Sequence, residues 1–310
     1  MELIRIKWND FSKVQDEIIA TIGQFDGIHT AHRMLIEQTL AESKKKGWKS
    51  AIFTFDPHPD FILKKDVSLT YVTPFHEKVE LLGQFGLDYM IVIDFDLNIA
   101  GMSPKDFVEQ ILLANHVKEV IVGFDFRFGF KGEGRPSDIA LYSRHQIDFI
   151  VMDEQTYQNQ KIGTTLIKEL LQKGDVKTVK SLLGRYYTIE GEVIRGNQVG
   201  RTLHFPTANL KVGHDFAKLL SGVYIVYVYF EKNKYLGVAN FGRNPSFNER
   251  ESMVFETHIL DFQDDIYGKY IKVELVKFIR PEIKFPSKEA FVKQLEQDIA
   301  LARHFKEEKI

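Results

Sequence analysis

Short apolar runs alternate with longer helical patterns through the first half of the chain. The runs cover residues 18–22, 50–55, 89–93, 119–123 and 148–152. Stretches with helical spacing lie between them, for example over 32–46 and 104–115. Apolar runs that alternate with helices are typical of a parallel sheet covered by helices on both faces. The pattern therefore predicts an α/β doubly wound domain, whose ligands bind at the carboxyl ends of the strands.

The pattern changes after about residue 183. Strand patterns separated by turns cover residues 189–194, 223–230, 235–239, 254–260 and 271–278. Short strands at this spacing, without helices between them, favour an antiparallel β-barrel. We expect one helix to close the chain, because Ser287 suits an N-cap and Glu289 a first helical turn. The apolar stripe of this helix comprises Phe291, Leu295, Ile299 and Ala302. We therefore predict two domains, 1–184 and 185–310.

The composition narrows the classes of protein to which the chain can belong. Its 310 residues are 44% hydrophobic and 27% charged, an ordinary globular balance. The 41 lysines and arginines stand against 43 acids, so the chain lacks the basic excess of a typical nucleic-acid-binding protein. It has no cysteine, which excludes disulfides, thiolate metal sites and a cysteine nucleophile. The first residues lack the apolar core of a signal peptide, and no apolar run reaches the length of a membrane helix. We expect a cytoplasmic protein that binds neither nucleic acid nor membrane.

The segment after the first predicted strand carries candidate chemistry. Residues 23–32 read GQFDGIHTAH and open the first helix. Glycines let a backbone approach a ligand closely, and a helix N-terminus offers free N–H groups to an anion. His29 and His32 are placed to neutralise charge that develops on an α-phosphate as pyrophosphate leaves. The structural alternative is that both histidines are polar groups of the helix cap.

Three further segments follow predicted strands or open a helix. They read TFDPHP (54–59), GFDFRFG (123–129) and GTTLIK (163–168). Each segment alone has a structural interpretation, as a turn, as core aromatics or as a helix cap. Four such loops at one expected sheet edge are not expected by chance, and together they favour a phosphate- and nucleotide-binding site.

These four segments resemble motifs in the nucleotidyltransferase half of the bacterial bifunctional riboflavin kinase/FMN adenylyltransferases, the FAD synthetases. The family motifs resemble G-N-F-D-G-V-H-x-G-H, F-x-P-H-P, G-x-D-F-x-F-G and S-S-T-x-I-R. The resemblance implies that His29 and His32 are catalytic residues that bind the phosphates of ATP. The other implied ATP- and phosphate-binding residues are Gly23, Phe25, Asp26, Gly27, Thr164, Thr165 and Lys168. The implied flavin-binding residues are Phe55, Pro57, His58, Pro59, Asp125, Phe126 and Phe128.

Five positions depart from these motifs. Gln24 stands for the usual Asn, and Ala31 for the Gly between the two histidines. Ala31 adds a methyl group where a nucleotide would approach the backbone closely. Gly163 and Thr164 stand for two serines, and Lys168 keeps the charge of the usual arginine without its planar fork. We expect these changes to affect the strength of adenylyl transfer.

The second half contains a stretch with more specific chemistry. Residues 200–210 read GRTLHFPTANL, and in extended backbone Thr207 and Asn209 point the same way, able to hold a magnesium–phosphate group. Downstream, a predicted strand places Glu256 and His258 on one face. A carboxylate there can take the proton from a substrate hydroxyl during phosphoryl transfer. The structural alternatives are a glycine-rich hairpin without a ligand and an exposed acid paired with a lysine.

This half is similar to the riboflavin kinase domain of the same family. The motifs G-R-x-x-G-F-P-T-A-N, A-N-x-G-x-x-P-T-F, E-x-H-x-x-D-F and D-x-Y-G occur in the same order. The similarity implies that Glu256 is the catalytic base for the ribityl 5′-hydroxyl and that Arg280 binds flavin. The implied ATP-binding residues are Gly200, Arg201, Thr207 and Asn209, of which the last two are also Mg²⁺ ligands. The positions that depart from the family pattern are His204, Asn244 and Ser246.

We therefore expect a two-step enzyme of flavin-cofactor synthesis. The barrel would phosphorylate riboflavin with Mg-ATP to give FMN and ADP, and the first domain would adenylylate FMN with a second ATP to give FAD and pyrophosphate. Magnesium is expected at both sites, because phosphate charge must be neutralised in each transfer. Two alternatives stay open: a riboflavin kinase with a weak or silent adenylyltransferase half, and a non-catalytic protein that binds flavin or nucleotide. The sequence does not specify the oligomeric state.

Overall fold

The computed structural model describes residues 1–63, 70–195, 205–212, 216–243 and 253–306. The chain divides into two compact units, Met1–Thr164 and Thr165–Ile310. Each unit is built around its own buried apolar side chains.

Six parallel strands form the sheet of the first unit. They are β1 (Glu2–Ile6), β2 (Ile18–Ile22), β3 (Lys49–Asp56), β4 (Tyr89–Asp94), β5 (Val117–Gly123) and β6 (Asp148–Met152). Their order is β1-β4-β3-β2-β5-β6. The five predicted strands and their parallel, doubly wound arrangement are confirmed. The sequence pattern did not indicate β1, because this edge strand buries only Ile6 fully.

Helices cover both faces of this sheet. They are α1 (Thr30–Lys46), α2 (Pro59–Ile62), α3 (Phe75–Gly83), α4 (Leu97–Ala100), α5 (Pro104–Asp106) and α6 (Pro136–Tyr142). The helix predicted over 104–115 is a single run that continues from α5 as a π-helix, Phe107–Leu112, and a 3₁₀ turn, Leu113–Asn115. A short hairpin, β7 (Thr156–Tyr157) and β8 (Gln160–Lys161), follows β6.

Side chains of the central strands are buried on both faces of the sheet. In β2, Ile18, Ala20 and Ile22 pack with the π-helical segment, whereas Ile19 packs on the opposite face with residues of α1. Strand side chains alternate between faces, so a strand covered on both sides reads as an unbroken apolar run. This burial explains the apolar runs from which the fold was predicted.

The order of the strands places a topological switch point between β2 and β5. The chain passes from β2 to β3 and β4 on one side, and β5 and β6 lie on the other side. In open α/β sheets, ligands bind beyond the carboxyl ends of the strands at such a point. The loop after β2 and the loop after β5 meet there.

The second unit is an antiparallel closed barrel with helices. Its strands are β9 (Tyr187–Ile194), β10 (Ala208–Val212), β11 (Gly222–Phe230), β12 (Asn233–Arg243), β13 (Met253–Ile259) and β14 (Tyr270–Arg280). The barrel closes in the order β10-β13-β12-β11-β14-β9. The predicted barrel is confirmed, and β10 is a strand that the pattern did not indicate.

Among the described residues of this unit, three helices accompany the barrel: α7 (Thr164–Gln172), α8 (Val176–Leu183) and α9 (Lys288–His304). The predicted final helix is confirmed, with the Ser287 hydroxyl accepting a hydrogen bond from the Ala290 N–H at 3.2 Å. Packing groups residues 165–184 with the second unit. The division of the chain after residue 184 stays a prediction.

Candidate active sites

A cleft of about 320 Å³ opens at the carboxyl ends of β2 and β5, at the switch point of the sheet. This volume lies within the range of small-molecule sites, about 300–1,000 Å³. The predicted site residues that line it are Gly23, Phe25, His29, His32, Asp125, Phe126 and Thr164. The structure therefore brings together residues from three of the four segments singled out in the sequence.

The loop that forms one wall of the cleft has an unusual backbone. Phe25, Gly27 and Ile28 have φ values of 50°, 86° and 43°, in the left-handed region. Glycine adopts this region freely, but Phe25 and Ile28 do so at a cost of roughly 1–3 kcal/mol each. Such strain persists only where the surrounding structure fixes the loop, and it is concentrated at functional sites.

Asp26 fixes this loop from inside the protein. Its buried carboxylate accepts hydrogen bonds from the backbone N–H groups of Val72, at 3.2 Å, and Thr73, at 2.9 Å. The Thr164 hydroxyl donates to the Asp26 carbonyl at 3.3 Å. Asp26 was predicted to bind phosphate, but its carboxylate is directed to these backbone groups and it does not line the cleft. Direct binding of ligand by Asp26 stays a prediction.

The two predicted catalytic histidines lie side by side at the start of α1. Their rings are stacked, with centroids 3.7 Å apart, and the ring of Phe25 lies 4.9 Å from that of His32. His29 is the N-cap of the helix, since its Nδ1 accepts a hydrogen bond from the His32 N–H at 3.3 Å. His29 therefore caps the helix and also lines the cleft, and its catalytic role stays a prediction.

Burial holds the pKa of His32 well below its usual range, and the neighbouring charges of His29, Lys78 and Lys161 lower it further. His32 is therefore a neutral imidazole at pH 7. This differs from a histidine pair that brings positive charge to the site. A neutral imidazole can still donate an N–H hydrogen bond to a phosphate oxygen.

The stability of the chain is expected to fall as the pH drops below 6.5, the ordinary pKa of a histidine. Below that value the unfolded chain binds a proton at His32 and the folded chain does not, until the pH reaches the lowered folded-state pKa. The free energy of unfolding should lose up to about 1.4 kcal/mol per pH unit in this window. Denaturant unfolding of wild type and His32→Gln between pH 7.5 and 5 measures it.

The exposed His145 in the same unit provides the control substitution for that experiment. We expect His145→Gln to keep the pH dependence of wild type and His32→Gln to flatten it. An equal slope in wild type and His32→Gln would show that His32 is not the group that resists protonation.

Lys161 is a cleft residue that sequence analysis missed. It ends the β7–β8 hairpin, and its ammonium group is bonded to the Asp125 carboxylate and lies 5.1 Å from the centre of the Phe124 ring. The sequence signal was a lysine two residues before Gly163. The sequence alone does not indicate a functional role for this lysine, because its contact with the loop after β5 depends on the β7–β8 hairpin.

Lys78, on α3, is a second basic residue that sequence analysis missed. It is buried, and its ammonium group donates to the Gln24 carbonyl at 2.7 Å. Burial lowers its pKa, against the opposing charges of Asp26 and Asp56. Lys78 thus holds the first residues of the strained loop, and no motif in the sequence distinguishes it from other helical lysines.

The predicted flavin-binding residues at the end of β3 and directly after it do not line this cleft. Phe55 packs edge-on against Phe95, with ring centroids 5.7 Å apart. The His58 ring accepts a hydrogen bond from the Asp60 N–H at 3.1 Å and caps α2. Flavin binding by Phe55, Pro57, His58 and Pro59 stays a prediction.

The aromatic residues after β5 divide between the cleft and the core. Phe126 lines the cleft, whereas Phe128 is buried and packs against Phe107 and Phe126, with ring centroids 5.4 Å and 5.7 Å away. Phe126 is thus the better placed of the two to meet a ligand. Flavin binding by Phe128 stays a prediction.

Four predicted phosphate-binding residues remain: two belong to another element, and two fall outside the described residues. Thr165 and Lys168 belong to α7, in the second unit, and their role stays a prediction. Gly200 and Arg201 lie outside the described residues, as do the departures His204, Asn244 and Ser246.

The candidate site of the barrel is a row of polar residues across three strands. Asn209 of β10 pairs directly with Glu256 of β13, and Glu256 pairs directly with Asn240 of β12. Residues paired across strands share one face of a sheet. Phe255, Thr257 and Ile259, which alternate with Glu256 and His258 along β13, are buried in the barrel, which confirms the predicted alternation. Burial raises the pKa of the Glu256 carboxyl group.

The chemistry of this row fits a magnesium–phosphate group. Asn209, which is paired with Glu256, has a neutral amide oxygen, and Thr207, which directly precedes β10, has a neutral hydroxyl oxygen. Mg²⁺ prefers oxygen ligands and is usually held by few protein groups together with water and substrate phosphates. Among the described residues no cluster of three or more His, Asp or Glu could hold a metal by itself. A substrate phosphate would have to complete the coordination.

Arg280, which was predicted to bind flavin, forms a salt bridge with Asp298 in the barrel unit. Its guanidinium donates to the buried Asp298 carboxylate, with the shortest bond from Nη2 at 2.7 Å. Gln294 also donates to Asp298, at 3.0 Å, so the pair ties the end of β14 to α9. Flavin binding by Arg280 stays a prediction.

Both halves of the chain are similar to known protein families. A family model of FAD synthetase matches residues 11–166, and a family model of riboflavin kinase matches residues 183–306. The bifunctional riboflavin kinase/FMN adenylyltransferase of Listeria monocytogenes is 37% identical over 96% of this chain and 94% of its own. Proteins of the same description from Bacillus subtilis and Escherichia coli K12 are each 33% identical, over 92% and 98% of this chain and over 91% and 98% of their own chains.

One solved structure is similar along nearly the whole chain. It is described as a macrolide-efflux protein from Streptococcus pneumoniae and is 29% identical, with a TM-score of 0.90 over 98% of this chain and 99% of that chain. In the part of the chain that the structure describes, no helix combines the length and hydrophobicity needed to cross a bilayer.

The fold of the two units and the two family matches together define a nucleotidyltransferase-type α/β unit that is followed by a riboflavin-kinase barrel. The chain belongs to the family of bifunctional riboflavin kinase/FMN adenylyltransferases. The resemblance drawn from its sequence motifs is confirmed.

Proposed function

We propose that this chain makes FAD from riboflavin in two ATP-dependent steps. The barrel transfers the γ-phosphate of ATP to riboflavin, giving FMN and ADP. The first unit transfers the adenylyl group of a second ATP to FMN, giving FAD and pyrophosphate. The observation that carries the proposal is that one chain has both sites: the stacked histidines in the switch-point cleft and the Asn209–Glu256 pair on the barrel.

In the kinase step, the Glu256 carboxylate accepts the proton of the ribityl 5′-hydroxyl. The hydroxyl oxygen bonds to the γ-phosphorus of ATP, and ADP leaves. The raised pKa of Glu256 suits this role, because a carboxylate of higher pKa is a stronger base. Thr207 and Asn209 would hold Mg²⁺, which when bound neutralises phosphate charge. The direct pairing of Asn209 with Glu256 supports this role.

In the adenylyl step, a phosphate oxygen of FMN bonds to the α-phosphorus of ATP, and the bond to pyrophosphate breaks. No proton needs to leave the nucleophile, because the FMN phosphate is already an anion. Catalysis therefore depends on positioning and on stabilising charge at the α-phosphate. His29 and His32 supply N–H donors on one side of the cleft, and Lys161 supplies a cation on the same cleft.

The test is to incubate the purified chain with riboflavin, ATP and Mg²⁺ and to separate the flavins by chromatography over time. FMN that forms first and is then converted to FAD is the expected result. If FMN accumulates and supplied FMN also stays unconverted, the chain is a riboflavin kinase with a silent adenylyltransferase half. If neither riboflavin nor supplied FMN is converted, the remaining alternative is a non-catalytic protein that binds flavin or nucleotide. Its place in the cytoplasm, and the need for Mg²⁺, stay predictions.

Replacing Lys161 by Met is expected to lower the rate of FAD formation from FMN by about 10- to 100-fold, with FMN formation unchanged. When a phosphate enters the cleft, the ammonium group can move from Asp125 to the phosphate, and methionine has a similar length but no charge. Initial rates of both reactions, measured separately, check this. Lys161→Arg keeps the charge and should recover much of the rate.

Lys131 provides a matched control for that substitution. It is an exposed lysine of the same unit, and its ammonium group lies 5.0 Å from the centre of the Phe130 ring. Lys131→Met should leave FAD formation unchanged. Equal rates in Lys161→Met and Lys131→Met would contradict a role for Lys161 in the cleft.

A further inference from the structure

The His258 side chain holds the segment that precedes β10 against the barrel. The Nδ1 atom of His258 lies 2.8 Å from the carbonyl oxygen of Pro206. A carbonyl oxygen can only accept, so Nδ1 carries the proton and donates it. The ring of Phe205 packs edge-on against the same imidazole, with centroids 5.7 Å apart.

This bond acts where the backbone ladder between the two strands ends. The pairing of β10 with β13 begins at Ala208 opposite Thr257. Pro206 has no N–H group, so its backbone cannot donate to a ladder. On the N-terminal side of Ala208, the hydrogen bond from the His258 side chain to the Pro206 carbonyl therefore takes the place of a backbone ladder bond.

The two ends of this bond adjoin the two halves of the proposed kinase site. Pro206 directly precedes Thr207, the predicted metal ligand, and His258 follows the proposed base Glu256 by two residues on β13. Alternation along a strand puts Glu256 and His258 on the same face. One imidazole thus fixes the distance between the segment that holds the phosphate–metal group and the strand that holds the base.

We propose that His258 is a positioning residue of the kinase site: it holds Pro206 so that Thr207, two residues before Asn209, lies on the same face as Glu256 for the magnesium–phosphate group of ATP. The inference rests on the proposed kinase function of the barrel. His258 acts through Thr207 and takes no part in proton or phosphoryl transfer. Replacing the His258 side chain should therefore weaken the binding of Mg-ATP and leave the binding of riboflavin unchanged.

Replacing His258 by Leu is expected to raise the KM for Mg-ATP, and the Mg²⁺ concentration for half-maximal rate, by about tenfold. The KM for riboflavin should stay at the wild-type value, and kcat should fall much less than the KM rises. His258→Asn keeps an N–H donor near the position of Nδ1 and should restore most of the affinity. Steady-state FMN formation with each substrate varied separately measures the difference.

His304 is the matched control for this substitution. Its Nδ1 lies 2.7 Å from the Ala300 carbonyl on α9, so it makes the same kind of bond in the same unit. His304→Leu should leave both KM values unchanged. Equal KM values for Mg-ATP in wild type and His258→Leu would overturn the proposal. So would a loss of kcat that is the same in His258→Leu and His258→Asn with both KM values unchanged.

Hydrogen exchange distinguishes failure of this inference from failure of the proposed kinase function. The backbone N–H groups of residues 205 and 207–209 should exchange faster in His258→Leu than in wild type or His258→Asn, with no ligand present. Unchanged exchange overturns the positioning role even if FMN is formed. If wild type forms no FMN, the kinase function itself is contradicted, and with it the proposed role of His258.

Discussion

Replacing Glu256 by Gln is expected to lower FMN formation by about 10²- to 10⁴-fold, the usual contribution of a general base. Glutamine keeps the shape of the side chain and its place opposite Asn209 but cannot accept the hydroxyl proton. The conversion of supplied FMN to FAD should proceed at the wild-type rate, because that reaction uses the cleft of the other unit. Separate assays of the two reactions on one preparation measure both expectations.

The pH dependence of FMN formation gives a second readout for Glu256. Its pKa is raised by burial, so the base is lost by protonation at a higher pH than an exposed glutamate would be. The kcat of wild type should therefore fall as the pH is lowered through this raised pKa. In Glu256→Gln the residual rate should not show that step.

Glu190 is the control acid for this experiment. It lies on β9 of the same barrel, and its carboxylate pairs with the Lys272 ammonium group at 2.6 Å. That is the arrangement expected of a strand acid without a catalytic role. Glu190→Gln should form FMN at close to the wild-type rate. A Glu256→Gln variant that retains full kinase activity would remove Glu256 from the mechanism.

Removing the histidine pair should have the second large effect, on the other reaction. Substituting His32 by Leu is expected to lower FAD formation from FMN by about 10²- to 10³-fold, the usual loss for one donor to a developing oxyanion. His32 is neutral in the cleft, so its contribution is an N–H hydrogen bond rather than a charge. His32→Gln keeps an N–H donor and should lose less. The rate of FMN formation should not change in either variant.

His29 needs a substitution that preserves the helix cap. Asparagine is among the best N-cap residues, so His29→Asn keeps an acceptor for the His32 N–H and removes the imidazole from the cleft. We expect this variant to fold as wild type does and to lose FAD formation to a similar degree. Wild-type rates of FAD formation in both His29→Asn and His32→Leu would support the cap interpretation of the two residues and contradict their catalytic role.

The parts of the fold that depend on local pattern could be predicted from the sequence. The central strands are buried on both faces, so residues such as those of β2 read as unbroken apolar runs. Alternation also placed Glu256 correctly relative to its neighbours Phe255 and Thr257. The strand β1 was missed because it is largely exposed. The strand β10 was missed although its residues alternate between apolar and polar types.

The parts of the sites that depend on tertiary contacts could not be predicted. Nothing local indicates that Asn209 is paired with Glu256, since strand register is set by the closed barrel. The contact of Lys161 with Asp125 depends on the fold-back of a two-strand hairpin. The motifs also suggested that Asp26 and Arg280 bind ligands, whereas the structure directs Asp26 to backbone N–H groups and Arg280 to Asp298.

Isotopic labelling can show whether one chain carries out two different transfers from ATP. Riboflavin and Mg²⁺ would be incubated with ATP labelled at the γ-phosphorus in one reaction and at the α-phosphorus in another. We expect the γ-label to appear in FMN and then in FAD, and the α-label to appear, among the flavins, in FAD only. Absence of γ-label from FMN would contradict the kinase half, and absence of α-label from FAD would contradict the adenylyltransferase half.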